Sequence, residues 1–401
     1  MVVHSYYDED PRVRREAEAL VAAGMAVDVF ALRRDGDDAL GTVDGVTVHR
    51  LGVQRHQGAG LGVYVREYLS FLVRSGWALT RAHRRRHYGL VQVHSLPDFL
   101  AFAAFPLRLA GVPLLLDLHE AMPEFFRSRF PRARQPIVHG LVRLQERLSI
   151  GLASRVITVN DAMAGRLVDL GVPAAKVGVV PNSPDLARFD PARLPARAFA
   201  ADGVVRMVYT GALTPIYELD VALDAIARIR RDRPDLALHF DVYGRGDSEP
   251  ALVDRAAAGD LDGCVTFHGR IPIEAVAAAV SAADIGLAPT RQDQFTDVSL
   301  STKLFEYAAM GKPVVATGLP LVRHAFPPGT IWTYEPGDVG GLAEAILQIV
   351  DGAAGRDAAV ARTLEIVGER SWARHARPYV ALVMGLMRRG EAPSGARGPT
   401  A

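Results

Sequence analysis

The 401-residue sequence predicts an α/β protein built from two doubly wound, Rossmann-like domains with parallel sheets, facing each other across a cleft. Three observations predict this. Short runs rich in Val, Ile and Leu alternate with longer stretches of helical periodicity. The apolar runs are continuous rather than alternating, as in strands covered on both faces by helices. The same order occurs twice, once on each side of PNSPDLARFDPARLPARAFAADG (181–203), a linker rich in Pro, Asp and Ala.

Taken in order, Met1–Val3 reads as the end of a strand, short enough to expect a few natural residues upstream. A polar loop and a helix from about Pro11 follow, the helix stopped at Gly24. The first half then offers strands at Ala26–Leu32, Thr47–Leu51, Leu90–His94, Pro113–Asp117, Arg155–Val159 and Val177–Val180. The second offers Val205–Thr210, Ala237–Tyr243, Val265–His268, Ile285–Ala288, Pro313–Ala316 and Thr330–Tyr334. A last helix is expected to cross back to the first domain, with GEAPSGARGPTA beyond it as a disordered tail. The expected division is 1–182, 183–372, a crossing helix at 373–389, and the tail at 390–401.

Composition narrows the function classes. With 49% apolar residues, 23% charged and a formal net charge of +1, the chain is a soluble globular protein and not a general nucleic-acid binder. The single cysteine, Cys264, excludes a disulfide framework and a cysteine-based metal site, and reads as a small buried residue. No secretory apolar region opens the sequence, and no apolar run is long enough to span a membrane. The expected location is the cytoplasm.

Four strand ends in the second half carry polar or glycine turns: VYTGALTPIYELD, FDVYGRGDSEP, CVTFHGRIP and IGLAPTRQDQFTDVSLSTKLFEY. Gly211 and Gly244 would let a ligand approach the backbone, although such turns are also ordinary punctuation after strands. The last stretch adds Arg291 and Lys303 near the amides around Thr302, a set fit for a diphosphate. A lysine at a helix start works against the macrodipole unless an anion is bound. Glu306 follows one turn later on the same face, where a carboxylate can accept two hydrogen bonds from a ribose diol. The plainer reading is an exposed Lys–Glu pair, but the flanking Leu304, Phe305 and Ala308–Met310 mark the helix as buried.

LSTKLFEYAAMGKPVVAT resembles the nucleotide-sugar motif of the GT-B glycosyltransferases, specifically the retaining glycosyltransferase family 4. YTGALTPIYELDVALDAI, FHGRIP and ADIGLAPTRQDQFTDVSLSTK look like that family's other donor loops in their usual order. HSYYDEDPRVRREAEALVAAG and LLLDLHEAMPE look like its acceptor-domain elements, so the resemblance spans nearly the whole chain. It implies an acceptor-binding first domain and a nucleotide-sugar-binding second one. Glu306 would hold the nucleotide ribose, and Lys303 with the amides at Ser301 and Thr302 the diphosphate. Arg270 and Ile271 would present backbone groups to the base, with Gly211 and Thr214 near the phosphates and the donor sugar.

Two departures stand out. Many members carry two glutamates eight apart, but here Val298 lies eight before Glu306, with Asp297 beside it as the acidic donor-site candidate. Many also carry a basic residue and Gly where this chain has Tyr217 and Glu218, leaving Lys303 and Arg291 as the main phosphate charges. In the first half, His119 and Glu120 follow a strand end. The family's histidine at the place of His119 faces the donor sugar, although a histidine capping a strand end is the plainer reading. His94 ends a neighbouring strand, and Asp10 and Arg12 either line the acceptor side or simply cap the helix they begin.

The expected reaction is transfer of a glycosyl group from a nucleoside diphosphate sugar, a UDP-sugar first, to an acceptor hydroxyl or amine. Such acceptors belong to glycan, glycolipid, polysaccharide or secondary-metabolite biosynthesis. The expected catalytic groups are His119, Lys303 and Arg291, with no protein nucleophile, no metal and no cofactor beyond the co-substrate. VYVREYLSFLVRSGWALTRAHRRRHY is an amphipathic helix with a basic end, read as core-facing or as docking on the inner face of an anionic membrane. RSRFPRAR (127–134) adds a basic acceptor loop. Two other functions fit the same residues: a nucleotide-sugar 2-epimerase using His119, Glu120 and Asp297, and a catalytically silent nucleotide-sugar-binding partner protein.

Overall fold

The computed structural model describes residues 1–54, 61–129, 136–195 and 197–391. The chain divides into two compact units. The first joins residues 1–182 to the C-terminal stretch from Ala373, and the second is Ser183–Trp372.

The strands are β1 (Asp28–Leu32), β2 (Leu40–Val43), β3 (Val46–Leu51), β4 (Val91–His94), β5 (Leu114–Leu118), β6 (Arg155–Thr158) and β7 (Val177–Val179) in the first unit. The second holds β8 (Val204–Thr210), β9 (Ala237–Tyr243), β10 (Val265–Gly269), β11 (Ile285–Ala288), β12 (Val314–Thr317) and β13 (Trp332–Tyr334). The twelve expected strands are all present, with ends moved by one or two residues. β2 was missed. It pairs antiparallel with β3 through Asp44-Gly45, both at positive φ (49° and 80°), the Asp-Gly signature of a two-residue hairpin.

In the first unit Val2 bridges Phe30 of β1 and Val93 of β4, both in parallel, so the sheet runs β2–β3–β1–Val2–β4–β5–β6–β7. In the second unit all six strands are parallel, in the order β10–β9–β8–β11–β12–β13. β4, β5, β11 and β12 are buried at every position, as strands covered on both faces are, with Gln92, His94, Asp117 and Thr317 the polar residues among them.

The Leu219–Asp232 and Val339–Asp351 helices pack together over one face of the second sheet. The Thr302–Ala309 helix covers the other face with Phe189, Val280 and Met310. Cys264 is buried, as its lone occurrence implied. The C-terminal helix, Trp372–Glu391, anchors to the first unit through Tyr379, whose hydroxyl donates to Gln92 Oε1 at 2.6 Å. The tail from 392 on, and most of the basic loop at 127–134, lie outside the described residues.

Candidate functional site

In the second unit the strand order reverses between β8 and β11. Connections leave such a point in opposite directions and open a crevice beyond the carboxyl ends of the strands. β8 ends at Thr210 and is followed by Gly211, whose φ of 149° is one that side-chain-bearing residues rarely adopt. A Cβ on Gly211 would lie 2.3 Å from Lys303 Cε. Gly244, at a φ of 145°, has a second reason to be glycine, since a Cβ there would lie 1.7 Å from the Gly211 carbonyl oxygen. Backbone bonds from Gly211 to Tyr243 (2.8 Å) and from Leu213 to Arg245 (3.0 Å) lock the two turns together. Gly244 therefore shapes the Gly211 turn from behind.

The Thr302–Ala309 helix is pinned beside the end of β8. Tyr307 Oη accepts the Thr210 amide at 2.9 Å, and Gly286 of β11 makes room for the ring, which a Cβ would approach to 2.3 Å. Ser301 is the N-cap, and its side chain makes no capping bond, so the first-turn amides remain available to an anion. Lys303 is buried on the first turn. Its ammonium lies 3.8 Å from the Tyr217 ring centroid and 5.2 Å from that of Tyr209. Among the described residues no carboxylate pairs with it. A buried ammonium without a counter-charge is costly. Two aromatic faces offset only about 0.5–2 kcal/mol of that cost. The arrangement is one that an anion completes.

Around this centre, Thr214 accepts the Tyr217 amide at 3.0 Å and fixes the turn that carries the ring. The Arg291 amide donates to Ile216 O at 2.8 Å, tying the β11 loop to the same turn, and its guanidinium reaches Asp293 at 3.4 Å. Asp293 also accepts the amides of Phe295 and Thr296, and Asp297 accepts from Gln292 Nε2 at 3.2 Å within its own loop. Glu306, half-buried, lies one turn beyond Lys303. Arg270 is exposed and Ile271 half-buried just after β10. Burial raises the Glu218 pKa, and the carboxylate accepts the Gly337 amide at 3.1 Å.

The first unit has its own order reversal, between Val2 and β4. His94 is the last residue of β4, Asp117 lies inside β5, and His119 follows β5. Arg12 grips Asp117 with Nε and Nη2, both at 2.7 Å, and reaches Val180 O and Asn182 with Nη1. His94 Nδ1 lies 2.9 Å from Asp117, and His119 Nδ1 lies 3.8 Å from the same oxygen. Burial works to raise the Asp117 pKa, but Arg12 and the two imidazoles hold it well below the usual carboxylate range. Burial pulls His119 down, and the Asp117 carboxylate outweighs it, so the imidazole is raised toward its charged form.

Asp10 caps the first helix by accepting the Val13 amide at 3.1 Å and the Ser5 hydroxyl at 2.8 Å. Capping was the plainer of its two expected roles, and Arg12 is likewise built into the interior. Glu120 is half-buried beside His119. His94, Asp117 and His119 are close enough to share a metal ion, but both Asp117 oxygens already accept from Arg12.

Three participants escaped the sequence reading. Asp117 had a legible signal, a lone acid inside an otherwise apolar strand. The Tyr307–Gly286 fit and the buried His4–Glu67 pair (3.0 Å), which sits beside the order reversal of the first unit, had none.

Comparison with known proteins agrees with this layout. A family model described as "Glycosyl transferase 4-like domain" matches residues 10–183, and one described as "Glycosyl transferases group 1" matches 205–352. A D-inositol 3-phosphate glycosyltransferase of Kineococcus radiotolerans is 28% identical over 326 residues, 77% of this chain and 72% of that protein. A phosphatidyl-myo-inositol mannosyltransferase of Mycolicibacterium smegmatis is 28% identical over 71% of this chain and 68% of its own. Sucrose-phosphate synthase from Thermosynechococcus elongatus superposes with a TM-score of 0.76 at 19% identity, covering 97% of this chain and 98% of that one. Anabaena HepE, solved with UDP and glucose, gives 0.67 at 15% identity, covering 96% and 99%. This chain is therefore a glycosyltransferase of the GT-B fold and belongs to glycosyltransferase family 4.

Proposed function

We propose that the protein is a retaining transferase that moves a sugar from a nucleoside diphosphate sugar, a UDP-sugar first, to an acceptor hydroxyl or amine. It would serve glycan, glycolipid or natural-product synthesis in the cytoplasm, with peripheral contact at the inner face of the membrane. The observation that carries the reading is Lys303: a buried ammonium on the first turn of a helix, held by ring faces and with no carboxylate paired to it among the described residues. A diphosphate supplies the missing charge and takes the first-turn amides at once. Glu306 then holds the ribose, while Gly211 and Thr214 border the phosphates and sugar. Asp297 is the acid nearest in sequence to the place of the missing second glutamate.

In the reaction the bond from C1 to the diphosphate oxygen breaks, its electron pair leaving with the diphosphate. The acceptor atom bonds to C1 on the same face and passes its proton to the departing diphosphate oxygen. Lys303, Arg291 and the helix amides stabilise the charge growing on the leaving group. His119, kept toward its charged form by Asp117, and Glu120 are the first-unit groups assigned to the reacting sugar and the acceptor. HepE was solved with UDP-glucose, and a structural neighbour from Burkholderia xenovorans is described as a UDP-forming trehalose-phosphate synthase, which puts UDP-sugars first.

The test is incubation of the purified chain with UDP-, GDP-, ADP- and dTDP-sugars, with and without an acceptor panel. Inositol phosphates lead that panel, because the relatives' names carry them. Acceptor-dependent loss of one donor, with the anomeric configuration preserved by NMR, is the expected result. Conversion of a donor without acceptor would replace transfer by epimerisation, and binding without turnover would leave a silent partner.

A further inference from the structure

We infer that one face of the first unit, formed by the Leu61–Arg86, Phe105–Leu109 and Pro136–Leu152 helices, docks on an anionic lipid bilayer. The three are neighbours: both long helices pack on the Asp98–Ala104 segment, and the first also contacts the Phe105–Leu109 helix. Their buried sides form the core expected of amphipathic helices. Their outer sides do not look like solvent-facing surfaces.

On the Leu61–Arg86 helix, Val65, Leu69, Val73 and Trp77 recur every fourth residue, and all are exposed, Val73 to 70% and Trp77 to 67%. That stripe runs about 18 Å along one helix face. The Phe105–Leu109 helix adds Leu109, 73% exposed. The Pro136–Leu152 helix adds a second stripe of Ile137, Leu141, Leu144 and Leu148, with Ile137 75% exposed. Single exposed apolar residues are ordinary, but exposed apolar stripes on two helices that pack on one common segment mark a docking surface.

Charge identifies the occupant. The carboxylates on these helices and on the segment beneath them are Glu67, Asp98 and Glu146, and each is buried. The exposed charges are all arginines: Arg66, Arg74, Arg81, Arg84, Arg85 and Arg86 on one helix, the last of them 3.6 Å from the Asp28 carboxylate, and Arg143 and Arg147 on the other. A symmetric dimer through this face would set arginine against arginine. A membrane with anionic headgroups satisfies both parts at once. Aliphatic side chains and the Trp77 ring enter the acyl boundary, while guanidinium groups reach the phosphates. Arg81 already lies over the Trp77 ring, 5.6 Å from its centroid, pairing a cation with an interfacial aromatic. Among the described residues no helix is long and apolar enough to cross a membrane, so the contact is peripheral.

This surface would be the seat of the peripheral contact proposed above. Vesicle binding is read without donor or acceptor, so it stands or fails apart from sugar transfer. The full chain is co-sedimented with phosphatidylcholine vesicles containing 30% phosphatidylglycerol or none. Binding to the anionic vesicles, weakened by salt, is expected. The Arg84→Gln/Arg85→Gln pair should cost about 25-fold in affinity, at roughly fivefold per arginine. Val73→Ser/Trp77→Ser should also lose binding, and brominated lipid should quench the native protein more than Trp77→Phe. Failure to bind anionic vesicles at low salt would overturn the inference, as would binding that neither double variant alters. Self-association abolished by Val73→Ser/Trp77→Ser would instead assign the face to a second copy. Retention by poly-glutamate that is unchanged in that variant would assign it to an acidic protein.

Discussion

Replacing Lys303 with methionine separates its two burdens. Methionine nearly matches the lysine stem in length and volume but carries no charge. In the ligand-free protein the change removes cation–π contacts with Tyr217 (3.8 Å) and Tyr209 (5.2 Å), together worth about 0.5–2 kcal/mol. It also removes an ammonium that is buried with no carboxylate paired to it among the described residues, whose desolvation costs more than the ring contacts offset. The two changes oppose each other with desolvation the larger, so the free protein should unfold at the same temperature or a higher one. With nucleotide the balance differs. A charge-assisted bond to a diphosphate oxygen is worth about 1.5–3 kcal/mol, so UDP affinity should fall by roughly 10- to 150-fold. The assay is calorimetric titration of UDP beside thermal unfolding of the free protein. Because the charge matters most as the diphosphate departs, turnover should fall further than donor affinity. A Lys303→Met protein that melts many degrees lower yet binds UDP normally would make Lys303 a packing residue and sink the reasoning.

Three further outcomes follow from particular contacts. Gly211→Ala combines an unfavourable φ of 149° with a Cβ 2.3 Å from Lys303 Cε, so it should displace the lysine. Nucleotide titration should show at least a tenfold loss, whereas an unchanged Kd would mean that the turn relaxes without moving the ammonium. Glu306→Ala should weaken UDP binding by about 2–4 kcal/mol through two lost charge-assisted bonds. It should do little to binding of the 2′,3′-dideoxy nucleotide, and equal losses for both ligands would remove Glu306 from the ribose. Asp98 is fully buried, and burial, reinforced by Glu146, pushes its pKa up to about 8. The folded state therefore keeps a proton that the unfolded chain releases between about pH 4 and 8, and stability falls as pH rises through that window. Asp98→Asn should flatten the fall, with a gain bounded at about 5–6 kcal/mol near pH 8 and little change near pH 4. Parallel unfolding curves for the two proteins across that range would contradict the buried neutral acid.

The sequence by itself determined the α/β class, the twelve core strands and the helix that begins at Thr302, because each depends on short-range periodicity and on stop signals within a few residues. It also carried Lys303 and Glu306, since their helical spacing and their odd place on a buried helix are local facts. The β2–β3 hairpin was equally local and was passed over, although Asp44-Gly45 announces it. What only the tertiary structure decided is which side chains meet. Lys303 rests on a tyrosine more than eighty positions earlier, and Tyr307 is bonded to Thr210, 97 residues away. Arg12 holds Asp117 across 105 residues, which turns a residue expected at a helix cap into the counter-charge of a buried acid. Gly244, expected beside a ligand, is also room for the Gly211 carbonyl. Such pairings are set by the order of strands in a sheet. Strand order follows from packing whole elements against one another, so no window of sequence, however strongly patterned, contains it.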